Sequence, residues 1–164
     1  MTVAEAMKKM ILASNANQHD INHFLKVHAY ASTIGACEDL SPVQQKTLEL
    51  AAIVHDIACP LCREKYGNTN GKRQEEESEP LVRAFFADAG LDDAMLERIV
   101  YLVCHHHTLQ SIDGPDYQIL IEADYLVNAG EKGFSEANAR LMDETIFRTA
   151  SGRALLAALY LHTN

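Results

Sequence analysis

The sequence predicts an all-α fold of about seven or eight helices. Three observations carry that prediction: apolar residues recur at helical spacing, strand-like alternation is nearly absent, and capping residues open most of the periodic stretches. The 164 residues, 48% hydrophobic and 23% charged, suit one compact domain over residues 1–164 with a proper core. No repeat, low-complexity tract or domain boundary interrupts the chain.

Residues 3 to about 16 form the first candidate helix. Asp20 can cap the second, which sets Phe24, Val27, Ala31 and Ile34 along one face. In "DLSPVQQ", Ser41 is a cap and Pro42 takes the first helical position, where a missing N–H costs nothing; this third helix is expected to reach about residue 58. "CPLCREKYGNTNGKRQ" is polar, glycine-bearing and aperiodic, and reads as a loop. A fourth helix covers 75–89 and stops at Gly90. Asp92 or Asp93 caps a fifth that runs into His105–His107. "SIDGPD" is a turn. A sixth helix spans about 116–129, ahead of breaks at Gly130 and Gly133. Ser135 caps a seventh, and a last helix carrying Leu155, Leu156, Leu159 and Tyr160 is expected to pack back onto the core.

The formal net charge of −9 argues against nucleic-acid binding, which needs a basic surface. It leaves room for a small anionic substrate held by a few local cations. No apolar run approaches the roughly 20 residues that span a bilayer, so no membrane association is expected. The opening stretch reads as a folded helix and not as a signal peptide. A cytoplasmic location follows as an expectation, and with it four cysteines present as thiols. A homodimer is compatible with this composition.

The chemistry is carried by ionisable residues set in apolar surroundings. "LELAAIVHDIACPL" places His55 and Asp56 inside an otherwise apolar helix, and "QILIEADYLVNAG" does the same with Asp124. In "HDINHFLKV", His23 leads into an apolar face. An ionised carboxylate moved into an apolar interior costs several kcal/mol unless it is paired. A core histidine taken singly is more often a hydrogen-bonded residue than a ligand. Joint occurrence on three separate helices points instead to one divalent cation, for which imidazole nitrogen and carboxylate oxygen are ordinary ligands.

"HFLKV", "AAIVHDIA" and "IEADYLVNAG" resemble the signature of the HD-domain superfamily of metal-dependent phosphohydrolases: a histidine, a His-Asp doublet, then a distant aspartate. The resemblance covers about residues 19–130 and is specific through the three segments jointly. It implies a helical fold, His23, His55, Asp56 and Asp124 as metal ligands, and a divalent transition ion (Mn, Fe, Co, Ni or Zn) as cofactor. His28 competes for the first ligand position. The family follows its first histidine with two residues, a basic residue and Val, which "HFLKV" fits and "HAYAS" does not, so His23 is preferred. His19 and Asp20 are candidates for the surroundings of the metal, with Asp20 also readable as a plain cap.

Dinuclear branches of the superfamily use histidines in the region of "VCHHHTLQSIDG" for a second metal or the substrate phosphate. The resemblance thus gives His106 a catalytic role, and His105 and His107 roles in substrate binding. Successive residues project roughly 100° apart on a helix, so at most two of the three share a face. The sequence departs from the dinuclear pattern where another histidine is common: "GKRQEEESEPLVRAFF" offers Gln74 and Glu75. Glu75 could ligate a metal or act as an acid or base, and a second metal or Mg²⁺ stays open. Lys72, Arg73 and Lys26 are candidates to neutralise phosphoryl oxygens, with plain solvation as the bland alternative. Cys59 and Cys62 form a CxxC without the second pair that a structural zinc would want.

The implied function is hydrolysis of a nucleotide or other small phosphate ester by a metal-activated water, with Asp56 orienting that water and His106 or Glu75 serving the leaving group. Two alternatives belong to other classes: a di-iron oxygenase on the same fold, which needs six protein ligands, and a non-catalytic metal-binding signalling module.

Overall fold

The structure, a computed structural model, describes residues 1–161; residues 162–164, the end of the predicted domain, lie outside the described residues. It is all-helical. Among the described residues there are nine helices: α1 (Val3–Ala13), α2 (Gln18–Cys37), α3 (Pro42–Val54), α4 (Cys59–Tyr66), α5 (Gly71–Phe86), α6 (Asp93–Val103), α7 (Gly114–Lys132), α8 (Glu136–Thr145) and α9 (Ala150–Tyr160). None of them is long and apolar enough to cross a membrane.

Helix starts follow side-chain chemistry. Ser41 and Gln44 close a capping box ahead of Pro42, and Asp92 and Ser135 accept from the amides of Met95 and Asn138. The second helix differs from expectation: Asn17 is the cap, accepting from the Asp20 amide, and Asp20 stands in the first turn. The extra helix, α4, lies inside the stretch expected to be a loop. Its polar residues give no apolar period, but Pro60 near its start and Gly67 at φ 70 beyond its end mark its limits. Helix α5 begins four residues before the expected start at 75, capped by Asn70, in a run of charged residues without apolar spacing.

Helices α3 and α7 are the central pair. All nine residues 119–127 of α7 are buried, as are Leu48, Leu50, Ala51, Ala52, Ile53 and Val54 of α3. Complete burial of Leu48, Leu50 or Ile53 is worth about 1.5–3 kcal/mol each. Helix α2 packs on both α3 and α7, α6 packs on α3, and α5 covers α6. Gly130 does not break α7, which continues to Lys132. A Cβ there would stand 2.9 Å from the Tyr160 hydroxyl, so glycine lets α9 approach, and that hydroxyl donates to the Leu126 carbonyl at 2.6 Å.

Candidate metal centre

The His-Asp doublet is not inside a helix. Helix α3 ends at Val54, His55 is its C-cap, and Asp56 lies in the turn before α4. The last four carbonyls of a helix have no intrahelical partner. His55 uses one: its Nδ1–H donates to the Ala52 carbonyl at 2.8 Å. His106 repeats the device beyond the end of α6, donating from Nδ1 to the Val103 carbonyl at 2.7 Å. His23 sits within α2, and its Nδ1 faces the Glu131 carboxylate of α7 at 2.8 Å.

Each bond fixes a tautomer, because an imidazole that donates from Nδ1 presents a bare lone pair at Nε2 when neutral. The Nε2 atoms of His23 and His55 point at one place, and that of His106 faces the far side of Asp56. His23 Nε2 lies 3.2 Å from His55 Nε2, 3.2 Å from Asp124 Oδ1 and 3.5 Å from Asp56 Oδ2. His55 Nε2 lies 3.6 Å from Asp124 Oδ1 and 3.7 Å from Asp56 Oδ2. His106 Nε2 approaches the other Asp56 oxygen at 3.5 Å and is a buried atom without a hydrogen-bond partner. Asn128 donates to Asp124 Oδ1 at 2.7 Å. Acceptors thus face acceptors, nearly all out of water, and only positive charge satisfies them. His23, His55 and Asp56 offer ligand atoms that lie within 4.8 Å of one another, a set that could hold one ion, and Asp124 Oδ1 stands 3.2 and 3.6 Å from the two imidazole nitrogens.

Charge within the cluster shifts its titrating groups. Burial disfavours a charged His23, but the Asp124 hydrogen bond and the Asp56 and Asp124 charges outweigh it and push the ring up to about 9. Burial favours neutral carboxyls, yet His55 and His106 hold Asp56 below the usual carboxylate range, and His23 and His55 do the same for Asp124. The ligating atoms of Asp56, His106 and His107 form a second group, all within 4.8 Å of one another, so the two carboxylate oxygens of Asp56 face two adjoining compartments.

The centre opens to solvent through a cleft of about 160 Å³, whose walls include His19, Gln74, His107, Asn128 and Lys132. Arg63 of α4 pairs with Asp20 of α2 at its rim. The structure therefore brings together His23, His55, Asp56, Asp124 and His106, with His107 at the wall. His28 is turned elsewhere, to Glu49 at 2.9 Å.

His106 is 2% exposed, with its Nε2 turned to Asp56 at 3.5 Å. Other expected site residues lie apart. His105 stacks on Tyr101 at 4.3 Å and lines a groove between α5 and α6. Glu75 is a bracket: it accepts from the His107 amide at 3.1 Å and the Thr108 hydroxyl at 3.0 Å, holding the histidine segment rather than entering the cleft. Lys72 and Arg73 line a neighbouring surface groove of about 860 Å³ that shares only Thr69 with the cleft, and Arg73 pairs with Glu76. Lys26 is tied to Glu131 at 3.0 Å. All four cysteines are free; Cys62 is fully buried, and the Cys59 thiol donates to Gln74 Oε1 at 3.1 Å.

Sequence reasoning missed Glu131, Lys132 and Tyr117. The Tyr117 hydroxyl, within 2.6 and 2.7 Å of the His105 and Thr108 carbonyls, pins the histidine segment to α7. Glu131 left a readable signal, since it follows Asp124 by two helical turns and shares its face.

Comparison with known proteins gives the family and the fold. A family model described as the HD domain matches residues 20–129. Among solved structures, the crystal structure of a predicted HD superfamily hydrolase from an uncultured Thermotogales bacterium is similar, with a TM-score of 0.66 at 19% identity over 96% of this chain and 82% of that one. No curated protein matches. A helical fold that gathers a histidine, a His-Asp doublet and a distant aspartate around one point, over the span the family model covers, makes this chain a member of the HD-domain family.

Proposed function

We propose that the chain is a metal-dependent phosphohydrolase whose substrate is a nucleotide or other small phosphate ester. The observation that carries the reading is the convergence of the His23 and His55 Nε2 atoms with carboxylate oxygens of Asp56 and Asp124, with His106 Nε2 at the other Asp56 oxygen and no lysine or arginine among them. His23, His55, Asp56 and Asp124 would hold a divalent transition ion. Such an ion supplies Lewis-acid charge and makes water a competent nucleophile near neutral pH.

The chain's own residues do the rest. Asp56, with one oxygen turned to His23 and His55 and the other to His106, orients groups on both of its sides. Lys132 is the one cation lining the cleft among the described residues, and no ion pair occupies it. It meets the phosphoryl oxygens and offsets their charge as the P–O bond to the leaving group breaks. His107 at the wall offers an imidazole to the leaving-group oxygen. The small cleft admits the phosphoryl group and few other atoms, so the remainder of the substrate lies outside it.

The grouping of Asp56, His106 and His107 favours a second ion beside the first. Gln74 stands at the wall where a further histidine would complete a six-ligand di-iron centre, which weighs against the oxygenase. Metal analysis of the purified protein, followed by a phosphate-release screen over nucleotides and small monoesters with Mn²⁺ or Co²⁺ added, tests the proposal. Bound metal and metal-dependent phosphate release are expected. An iron-dependent visible absorption without phosphate release would support the oxygenase, and failure to bind any metal after reconstitution would support the module.

A further inference from the structure

The three imidazoles of the cluster are not oriented alike. His55 and His106 follow helix ends and donate to carbonyls left free there, at Ala52 and Val103. His23 lies in the body of α2, where the carbonyl one turn back is engaged in the helix. Its acceptor must be a side chain. Helix α7 supplies it, because Asp124 and Glu131 are seven residues, two turns, apart and so lie on one face. Asp124 Oδ1 meets Nε2 of His23 at 3.2 Å and Glu131 Oε2 meets Nδ1 at 2.8 Å, so one helix grips both nitrogens of the ring. The second Glu131 oxygen is held by Lys26, three residues after His23 on α2, at 3.0 Å.

We infer that Glu131 is a positioning residue of the metal centre: its carboxylate holds the proton of His23 on Nδ1, aims Nε2 at the ion, and makes the ring a stronger ligand than a carbonyl partner would. Lys26 keeps that carboxylate in place by occupying its other oxygen. A carboxylate behind a ligating histidine acts in this way in metal sites generally. The inference rests on the metal reading above.

The test uses the full chain as wild type, Glu131→Ala and Glu131→Gln. Zn²⁺ affinity is measured by chelator competition, melting is recorded with chelator present, and nitrogen-detected NMR reports the His23 tautomer in the Zn²⁺-loaded state. Glu131→Ala is expected to weaken Zn²⁺ binding roughly 10- to 100-fold. Glu131→Gln, whose amide oxygen still accepts from Nδ1, is expected to recover part of that loss. A purely structural Glu131 would lower the metal-free melting temperature and leave Zn²⁺ affinity and tautomer unchanged; that result overturns the inference. If Glu131→Ala does not fold, Glu131→Gln decides alone, and wild-type affinity in it overturns the inference equally. Wild-type protein that binds no Zn²⁺ would instead sink the metal reading on which the inference stands.

Discussion

Replacing Asp124 by Asn removes one of the two charges at the centre and almost nothing else. The amide has the same shape, and the cluster keeps His23, His55 and Asp56. Asp124 stands 3.2 and 3.6 Å from the two imidazole nitrogens, so the substitution deletes a donor and half of the negative charge that draws an ion there. Loss of a group behind a ligand already costs 10- to 100-fold in metal affinity, so loss of a ligand's charge is expected to cost about 100-fold or more. Metal that binds only the folded state stabilises it by RT ln(1 + [L]/Kd), about 2.7 kcal/mol when the ion is at 100 Kd. For a chain of this length each kcal/mol moves melting by roughly 2–4 °C, so wild type should gain about 5–11 °C. At the same ion concentration Asp124→Asn would sit near its Kd, gain about 0.4 kcal/mol and move by only about 1–2 °C. Calorimetry or dye-monitored melting over Mn²⁺, Co²⁺ and Zn²⁺ reads both shifts, and a chelator baseline for each protein subtracts any change to the metal-free fold. A full shift retained by Asp124→Asn would refute the reasoning, as would a wild type whose melting ignores every ion.

Lys132→Ala should raise KM for a phosphate ester about tenfold or more, the cost of one charged hydrogen bond, while Lys72→Ala and Arg73→Ala change it little; steady-state phosphate release separates them, and the opposite ranking returns the substrate to the neighbouring groove. Glu38 accepts from the Ser151 amide at 2.7 Å, and those bonds to Ser151 depress its carboxyl below the ordinary 4.5. Its contribution is therefore present above that value and lost as pH falls through the lower folded one, so Glu38→Gln should cost about 1 kcal/mol at pH 7 and nothing once the carboxyl is protonated. Urea midpoints at both extremes of pH check it, and an equal deficit at both would count against the hydrogen bond as the cause. Gly152→Ala puts a Cβ 2.0 Å from Glu122 Oε2 and 2.5 Å from Thr149 Oγ1, against a buried carboxylate that accepts from the Arg148 and Thr149 amides; a loss of about 1–3 kcal/mol in urea unfolding is expected, and wild-type stability would show that the α9 start can yield.

Much of the fold was legible because helix starts are local events. Ser41, Asp92 and Ser135 announce their helices through side chains that reach amides three residues on. What local pattern could not supply was the end of α3. The apolar run from Leu48 passes through the doublet without a break, so periodicity carries the helix on to about residue 58. The chain leaves the helix at Val54 because the His55 ring takes the Ala52 carbonyl and Asp56 turns towards histidines from α2 and from beyond α6, contacts made across long sequence separations. The short α4 was hidden for the converse reason, its polar residues giving no apolar stripe to read.

The site divides along the same line. Buried ionisable residues are visible in sequence because apolar neighbours make them expensive, and that expense identified His23, His55, Asp56 and Asp124. Exposed cations carry no such mark. Lys72, Arg73 and Lys132 look equivalent as sequence, and only the path of α5 and the end of α7 decides that Lys132 borders the cleft. Orientation is the least legible property of all. The adjacent His105 and His106 both donate from Nδ1 to a helix-end carbonyl, yet the acceptor is four residues back for His105 and three for His106. That single step turns one ring onto Tyr101 and the other onto Asp56. The register of free carbonyls at a helix terminus thus sets which histidine faces the metal centre, and the "HHH" run looks redundant only until the end of α6 is known.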